Sequence, residues 1–219
     1  MLHRIKNSLK FRAKLLLAPL LYRHIPIGLS PVKLSLYLNT IRTTHLLHGA
    51  VVEIGCHLCG TTAIGVKMLD QLGSRREYYA FDTFSGFVPS QFEADGYRSG
   101  GAKDLSNFRC NGLDLARKIL QLHKASRAHL VQADIVAMPP AELPETISMA
   151  LLDTDLYEPI MASLEKVYPR LEPGGVILVD DVIGNGWRAE QAFRDFCENN
   201  NLESVTHSGM GVLAKSLLS

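Results

Sequence analysis

Ala150-Leu-Leu-Asp153-Thr-Asp155-Leu-Tyr-Glu-Pro159 and, after a helix-length interval, Gly174-Gly-Val-Ile-Leu-Val-Asp180-Asp181 decide the fold. Each contains an apolar run that stops on acidic residues. Strands of a parallel sheet covered on both faces read as such runs, and open α/β sheets carry their functional groups at the strands' carboxyl ends. If the two strands are neighbours, Asp153, Asp155, Asp180 and Asp181 gather at one edge. A cluster of hard oxygen ligands is costly without positive charge among it, and the simplest source of that charge is a divalent cation such as Mg²⁺. The alternative reading is that one or two of these aspartates cap the helices that follow.

Outward from this pair the pattern alternates between strand and helix. A strand at Ala50–Ile54 leads through a glycine-containing turn into a helix over Thr62–Leu72, and a second strand, Tyr78–Phe81, ends on Asp82. Residues 83–112 are rich in Gly, Ser, Asn, Asp and aromatics, the composition of a long loop over the active edge. A helix over Leu113–His123, strands at Ala128–Gln132 and Ser148–Leu152, a helix over Pro159–Leu171 and a strand at Val176–Val179 follow. A helix over Arg188–Asn199 and a terminal strand pair, Leu202–His207 and Gly211–Ala214, complete the chain. This order is that of an α/β protein with a Rossmann-like doubly wound sheet. The sheet is mostly parallel, with an antiparallel C-terminal pair and helices on both faces.

A chain of 219 residues with 47% hydrophobic and 21% charged content is long enough for one domain with a sizeable core. The net charge of +1 hides an asymmetry: residues 1–50 hold eight Lys or Arg and no Asp or Glu, so the remainder is acidic. That excludes a protein-wide nucleic-acid surface and divides the chain into a basic helical segment, 1–48, and a Rossmann-like domain, 49–219. Within 1–27 basic residues alternate with Leu, Ile and Phe, and Pro19, Pro26 and Pro31 interrupt the pattern. This is the pattern of a basic amphipathic helix that packs on its own domain, touches a membrane peripherally, covers a substrate or joins a homodimer. Four cysteines and no signal peptide point to a reducing, cytoplasmic location, and the Cys56/Cys59 pair has no second pair to complete a zinc site.

The first turn reads Glu53-Ile-Gly55-Cys-His-Leu-Cys-Gly60-Thr61-Thr62. Glycines here let backbone approach a ligand, and the helix N-terminus favours its negative group. GxGxxG is absent, which counts against a dinucleotide or nucleotide-sugar oxidoreductase. Asp82 ends the second strand and suits a ribose; a carboxylate at Glu53 suits an ammonium-bearing cofactor such as S-adenosylmethionine.

Val52-Glu-Ile-Gly-Cys-His-Leu-Cys-Gly-Thr-Thr, Tyr79-Ala-Phe-Asp-Thr-Phe-Ser-Gly-Phe-Val-Pro, Leu151-Leu-Asp-Thr-Asp-Leu-Tyr-Glu-Pro and Gly174-Gly-Val-Ile-Leu-Val-Asp-Asp resemble the macrocin O-methyltransferase family over about residues 45–215. The resemblance implies an S-adenosylmethionine-dependent enzyme that methylates hydroxyls, often on sugars of natural products, with Mg²⁺. It places Glu53, Gly55, Gly60 and Thr61 about the methionine part of the cofactor, Asp82 at the ribose, and Ala133 and Asp134 near the adenine. It makes Asp153, Asp180 and Asp181 the metal ligands. Cys59 stands where the family has glycine and Thr61 where it has serine. Leu156 stands where related catechol-type enzymes carry a lysine base.

A metal on the three aspartates would chelate adjacent hydroxyls and so select a small-molecule acceptor with a vicinal diol. His207, on the late strand, is the first candidate for the base, with Asp153 beside the reacting oxygen and Asp155 and His57 behind them. Trp187 and the aromatics of 83–112 (Phe84, Phe87, Phe92, Tyr97), with Arg98, are candidates to grip the acceptor. A non-catalytic binding protein with a decayed site remains the third reading.

Overall fold

The computed structural model describes residues 10–95, 111–184 and 188–217. Every residue of β1 (Ala50–Ile54) and β4 (Ile147–Leu152) is buried, as strands covered on both faces must be. With β2 (Tyr78–Asp82), β3 (His129–Gln132), β5 (Leu171–Val179), β6 (Val205–His207) and β7 (Met210–Ala214) they form a seven-stranded sheet in the order β3-β2-β1-β4-β5-β7-β6. β1 runs parallel to β2 and β4, β2 to β3, and β4 to β5, whereas β7 is antiparallel to β5 and β6. The strand order reverses between β1 and β4, so a crevice opens beyond their carboxyl ends.

Side-chain alternation divides the core. Val52 and Ile54 share a face with Ala150, Leu152, Ile177 and Val179 beneath α5 (Tyr157–Val167) and α6 (Ala189–Asn199), which contribute Ile160, Leu164, Phe193 and Phe196. Val51, Met149, Leu151 and Leu178 face the other way, beneath α1 (Pro31–Thr43), α2 (Gly60–Gln71) and α4 (Leu113–Leu122). Each large aliphatic or aromatic side chain buried in these layers contributes about 1.5–3 kcal/mol.

α1 belongs to this core and does not stand apart with the basic segment. Pro31 does not interrupt a helix; it begins one, at the first-turn position where its missing N–H costs nothing, and Ser30 accepts a hydrogen bond from the Lys33 N–H at 3.4 Å. Gly65 lets the Tyr37 hydroxyl in, since a Cβ there would lie 2.1 Å from it. At the far end the buried Arg76 guanidinium donates to the carbonyls of Thr44 (2.9 Å) and Ile41 (3.1 Å) and to Ser148 Oγ (2.8 Å). It thereby caps α1 and ties it to β4. Upstream, helical residues 10–16 and Ala18–Leu21 expose Leu16 and Leu20, while Ala18 is buried against Leu115 and Ile119 of α4. Among the described residues no helix is long and apolar enough to cross a membrane.

Candidate active site

A cavity of about 510 Å³ lies along the carboxyl edge of the sheet. Its floor is the ends of five strands: Gly55 and His57 after β1, Asp82 and Thr83 after β2, Ala133 and Asp134 after β3, Asp153 to Leu156 after β4, and Asp180 and Asp181 after β5. Gly28, Ser30 and Lys33 enter from the N-terminal side and Gln91 from the segment after β2. Five non-glycine residues in these loops (His57, Cys59, Phe84, Asp155 and Asp181) hold positive φ, the local strain that functional loops carry.

Backbone contact dictates the sequence of the first turn. Gly55 has φ +92°, and a Cβ there would stand 2.0 Å from the Asp153 carbonyl oxygen, so no other residue fits. A Cβ on Gly60 would strike the Pro26 carbonyl oxygen at 1.8 Å; the chain before α1 therefore lies directly on the start of α2. Cys59 adopts the left-handed conformation (φ 59°, ψ 30°). That explains the glycine the family has there and costs this chain about 1 kcal/mol. Cys56 and Cys59 are free and buried with sulfurs 3.5 Å apart, and burial pushes the Cys56 thiol well up. Thr61 is buried in the first turn of α2; neither it nor Gly60 is among the residues lining the cavity.

Asp82 joins the two loops flanking the β1–β2 pair. Its Oδ2 accepts from the His57 N–H (2.8 Å) and its Oδ1 from the Phe84 N–H (2.7 Å). The His57 imidazole, lowered in pKa by burial, meets Asn111 Nδ2 at 3.1 Å. Asp134 accepts from Gln91 Nε2 on both oxygens (2.9 Å each) and from the Val136 N–H (3.0 Å). Gln91 sits on α3 (Pro89–Ala94), a short helix inside the stretch expected to be loop. Just beyond it Asp95 accepts from the Tyr157 N–H (2.9 Å) at the start of α5. Phe87 and Phe92 pack ring on ring at 5.6 Å; Tyr97, Arg98 and Trp187 lie outside the described residues. Asn111 Oδ1 and Thr154 Oγ1 are buried without a hydrogen-bond partner among the described residues, and both residues line the cavity. A buried polar atom left without a partner calls for one, and a polar ligand in the cavity would supply it.

Besides Gly60 and Thr61, two further expected site residues lie away from the cavity. Glu53 shares the face of Val51, so its side chain enters the layer between sheet and α2 and is 2% exposed. Its Oε2 accepts from Tyr78 Oη and Thr62 Oγ1 at 2.6 Å each, and Tyr37 Oη lies 2.6 Å from Tyr78 Oη. Burial, with Asp82 adding, raises its carboxyl to about 7. It supports the turn from within and is not among the residues lining the cavity. His207 is exposed on β6, the sheet's outermost strand on that side, and does not line the cavity either.

The acidic edge forms as the sequence predicts, with one addition. The Asp153 and Asp180 N–H groups extend the ladder by donating to the Ile54 and Leu152 carbonyls, both at 2.8 Å. Burial pushes the Asp153 carboxyl well up, and Asp180, Asp155, Asp181 and Glu53 push it further. Asp180 is also raised, by burial and by Asp181, against the opposing pull of Lys33. The Lys33 ammonium, carried on the first turn of α1, is ion-paired with Asp180 Oδ1 and with Asp181 Oδ1 (2.8 Å). Three carboxylates are a chemically suitable donor set for Mg²⁺, but here two of them close on an ammonium. Among the described residues no group of three His, Cys, Asp or Glu stands ready to hold a metal ion. As arranged, the site does not fit the expected divalent cation.

A doubly wound sheet whose glycine-containing first turn faces an acidic edge is the frame of a Rossmann-like α/β protein with its site at the switch point, and the comparisons give the class. Residues 33–208 match the model of the Macrocin-O-methyltransferase (TylF) family. The chain belongs to that family and is an O-methyltransferase, which sets aside the oxidoreductase and decayed-binder readings. CalS11, the calicheamicin methyltransferase, is 21% identical over 97% of this chain and 92% of its own, with a TM-score of 0.70. Its apo structure, described as a TDP-rhamnose 3'-O-methyltransferase, gives 21% identity, 97% and 94% coverage and a TM-score of 0.61. The O-methyltransferase NovP is 16% identical over 84% of this chain and 79% of its own, with a TM-score of 0.69. An O-methyltransferase from Bacillus cereus in complex with SAH is 15% identical over 94% and 90%, at 0.56. These likenesses establish the fold. No curated protein matches the chain.

Proposed function

We propose that this protein transfers a methyl group from S-adenosylmethionine to a hydroxyl on the sugar of a small molecule. The observation that carries this reading is the cavity joining the Gly55 turn and Asp82 to the acidic edge. The orphaned Asn111 Oδ1 and Thr154 Oγ1 fit a polar cofactor there. A sugar acceptor is supported by the likeness to CalS11, a TDP-rhamnose 3'-O-methyltransferase.

When bound, the cofactor supplies a methyl group on a sulfonium. Gly55 would give it backbone access, the remaining lone pairs of Asp82 would accept from the ribose hydroxyls, and Ala133 and Asp134 would border the adenine, with Gln91 holding Asp134 in place. The acceptor hydroxyl enters from the β4–β5 side. Asp153, which lines the cavity on that side, would take the hydroxyl proton as the acceptor oxygen receives the methyl group. Apolar Phe87 and Leu156 help exclude water from the cavity.

The test is methyl transfer from labelled S-adenosylmethionine to a panel of nucleotide sugars and glycosides, by wild type and Asp153→Asn. Labelled product from wild type, and a rate at least about 100-fold lower in the variant at unchanged cofactor affinity, is the expected result. Transfer to none of the sugars, or an unimpaired variant, overturns the assignment.

A further inference from the structure

We propose that Lys33 is the resident cation of the acidic edge, and that its ammonium and a divalent metal ion are alternative occupants of the Asp180–Asp181 pair. The inference rests on reading that edge as the acceptor side of the site, but its test needs no methyl transfer.

Lys33 is placed by the fold. It sits in the first turn of a helix fixed at its N-terminus by Ser30, along its length by Tyr37, and at its C-terminus by Arg76. Its side chain is 16% exposed, against 7% and 16% for Asp180 and Asp181. The turn between β6 and β7 closes over its stem, since a Cβ on Gly209 would lie 3.5 Å from Lys33 Cε. Among the described residues lining the cavity it is the one Lys or Arg, facing Asp153, Asp155, Asp180 and Asp181. The ammonium therefore supplies the charge compensation that a cluster of partly buried carboxylates requires.

The two occupants compete for the same oxygens. Lys33 uses Oδ1 of both Asp180 and Asp181, and Asp180 Oδ1 also accepts from the Asp181 N–H at 2.8 Å. A Mg²⁺ or Mn²⁺ ion bound to the same oxygens at about 2.1 Å would stand within roughly 4 Å of the ammonium nitrogen, where like charges repel strongly. For the ion to enter, the ammonium must leave. The two carboxylates take two of its three N–H donors; the third, in the metal-free state, can hold an acceptor hydroxyl against the acidic edge, a positioning role.

The experiment titrates Mn²⁺ into the full-length chain by calorimetry, comparing wild type, Lys33→Met and Lys33→Met/Asp180→Asn, with S-adenosylhomocysteine binding as the check on folding. Mn²⁺ affinity at least about tenfold higher in Lys33→Met than in wild type, and lost in the double variant, is expected. Equal or weaker binding in a folded Lys33→Met overturns the proposal. Should that variant not fold, reductive methylation of the wild-type Lys33 amine decides. Binding that exposes the amine to modification agrees with the proposal; no Mn²⁺ binding, or binding that leaves the amine as protected as before, refutes it.

Discussion

Glu53→Gln should make the protein more stable at neutral pH, by an amount that vanishes in acid. The Glu53 carboxyl is 2% exposed and is raised from 4.5 to about 7, first by burial. The folded state therefore holds a proton that the unfolded chain releases near 4.5. Between the two values the unfolded state binds fewer protons, so stability falls as pH rises and levels off above about 7. At about 1.4 kcal/mol for each pH unit crossed in that window, wild type loses about 2.5 kcal/mol between about pH 5 and pH 8 through this group alone. Glutamine keeps an oxygen for the donors Thr62 and Tyr78 and does not titrate. Urea unfolding of both proteins across this range isolates the effect, because every other group is common to the two. The stability difference should grow in favour of the variant by about 2–3 kcal/mol from about pH 5 to pH 8. A difference that stays constant would show that Glu53 is ionised in the folded state and refute the reasoning.

Other outcomes follow from individual contacts. Arg76→Met removes the guanidinium that donates to the Ile41 and Thr44 carbonyls and to Ser148 Oγ and should cost about 2–4 kcal/mol in urea unfolding; a loss under about 0.5 kcal/mol would mean α1 needs no such cap. Gln91→Ala frees Asp134 from α3 and should speed protease cleavage within 83–95 and weaken cofactor binding severalfold; unchanged cleavage would show that α3 is held elsewhere. Gly60→Ala pushes a methyl into the Pro26 carbonyl and should lower the melting temperature by several degrees, whereas an unchanged value would mean the segment before α1 shifts freely.

The strand ends are legible because burial on both faces leaves uninterrupted apolar runs, and an acidic residue at the end of such a run has the crevice as its only outlet. That locates Asp82, Asp153, Asp180 and Asp181. Counting along the turn misplaces Glu53, although alternation from Val52 already assigns it to the opposite face. Reading Pro31 as a helix breaker hides Lys33; Ser-Pro followed by an apolar helical pattern is a start signal, and with it Lys33 falls in the first turn. No sequence period states that this turn abuts the end of β5, because Lys33 and Asp181 are 148 positions apart in the chain. The expectation for His207 fails for the same reason: its distance from the cavity depends on β6 lying outside β7, an order that local pattern does not encode.

The central claim is that the Gly55–Asp82 end of the cavity binds the methyl donor. Isothermal titration of S-adenosylhomocysteine into wild type and Asp82→Ala tests it most directly, since Asp82 both borders the cavity and holds its two loops together. Micromolar binding to wild type, weakened at least about tenfold in the variant, is the predicted result. No binding to the folded wild-type protein, or equal binding to both, would contradict the account.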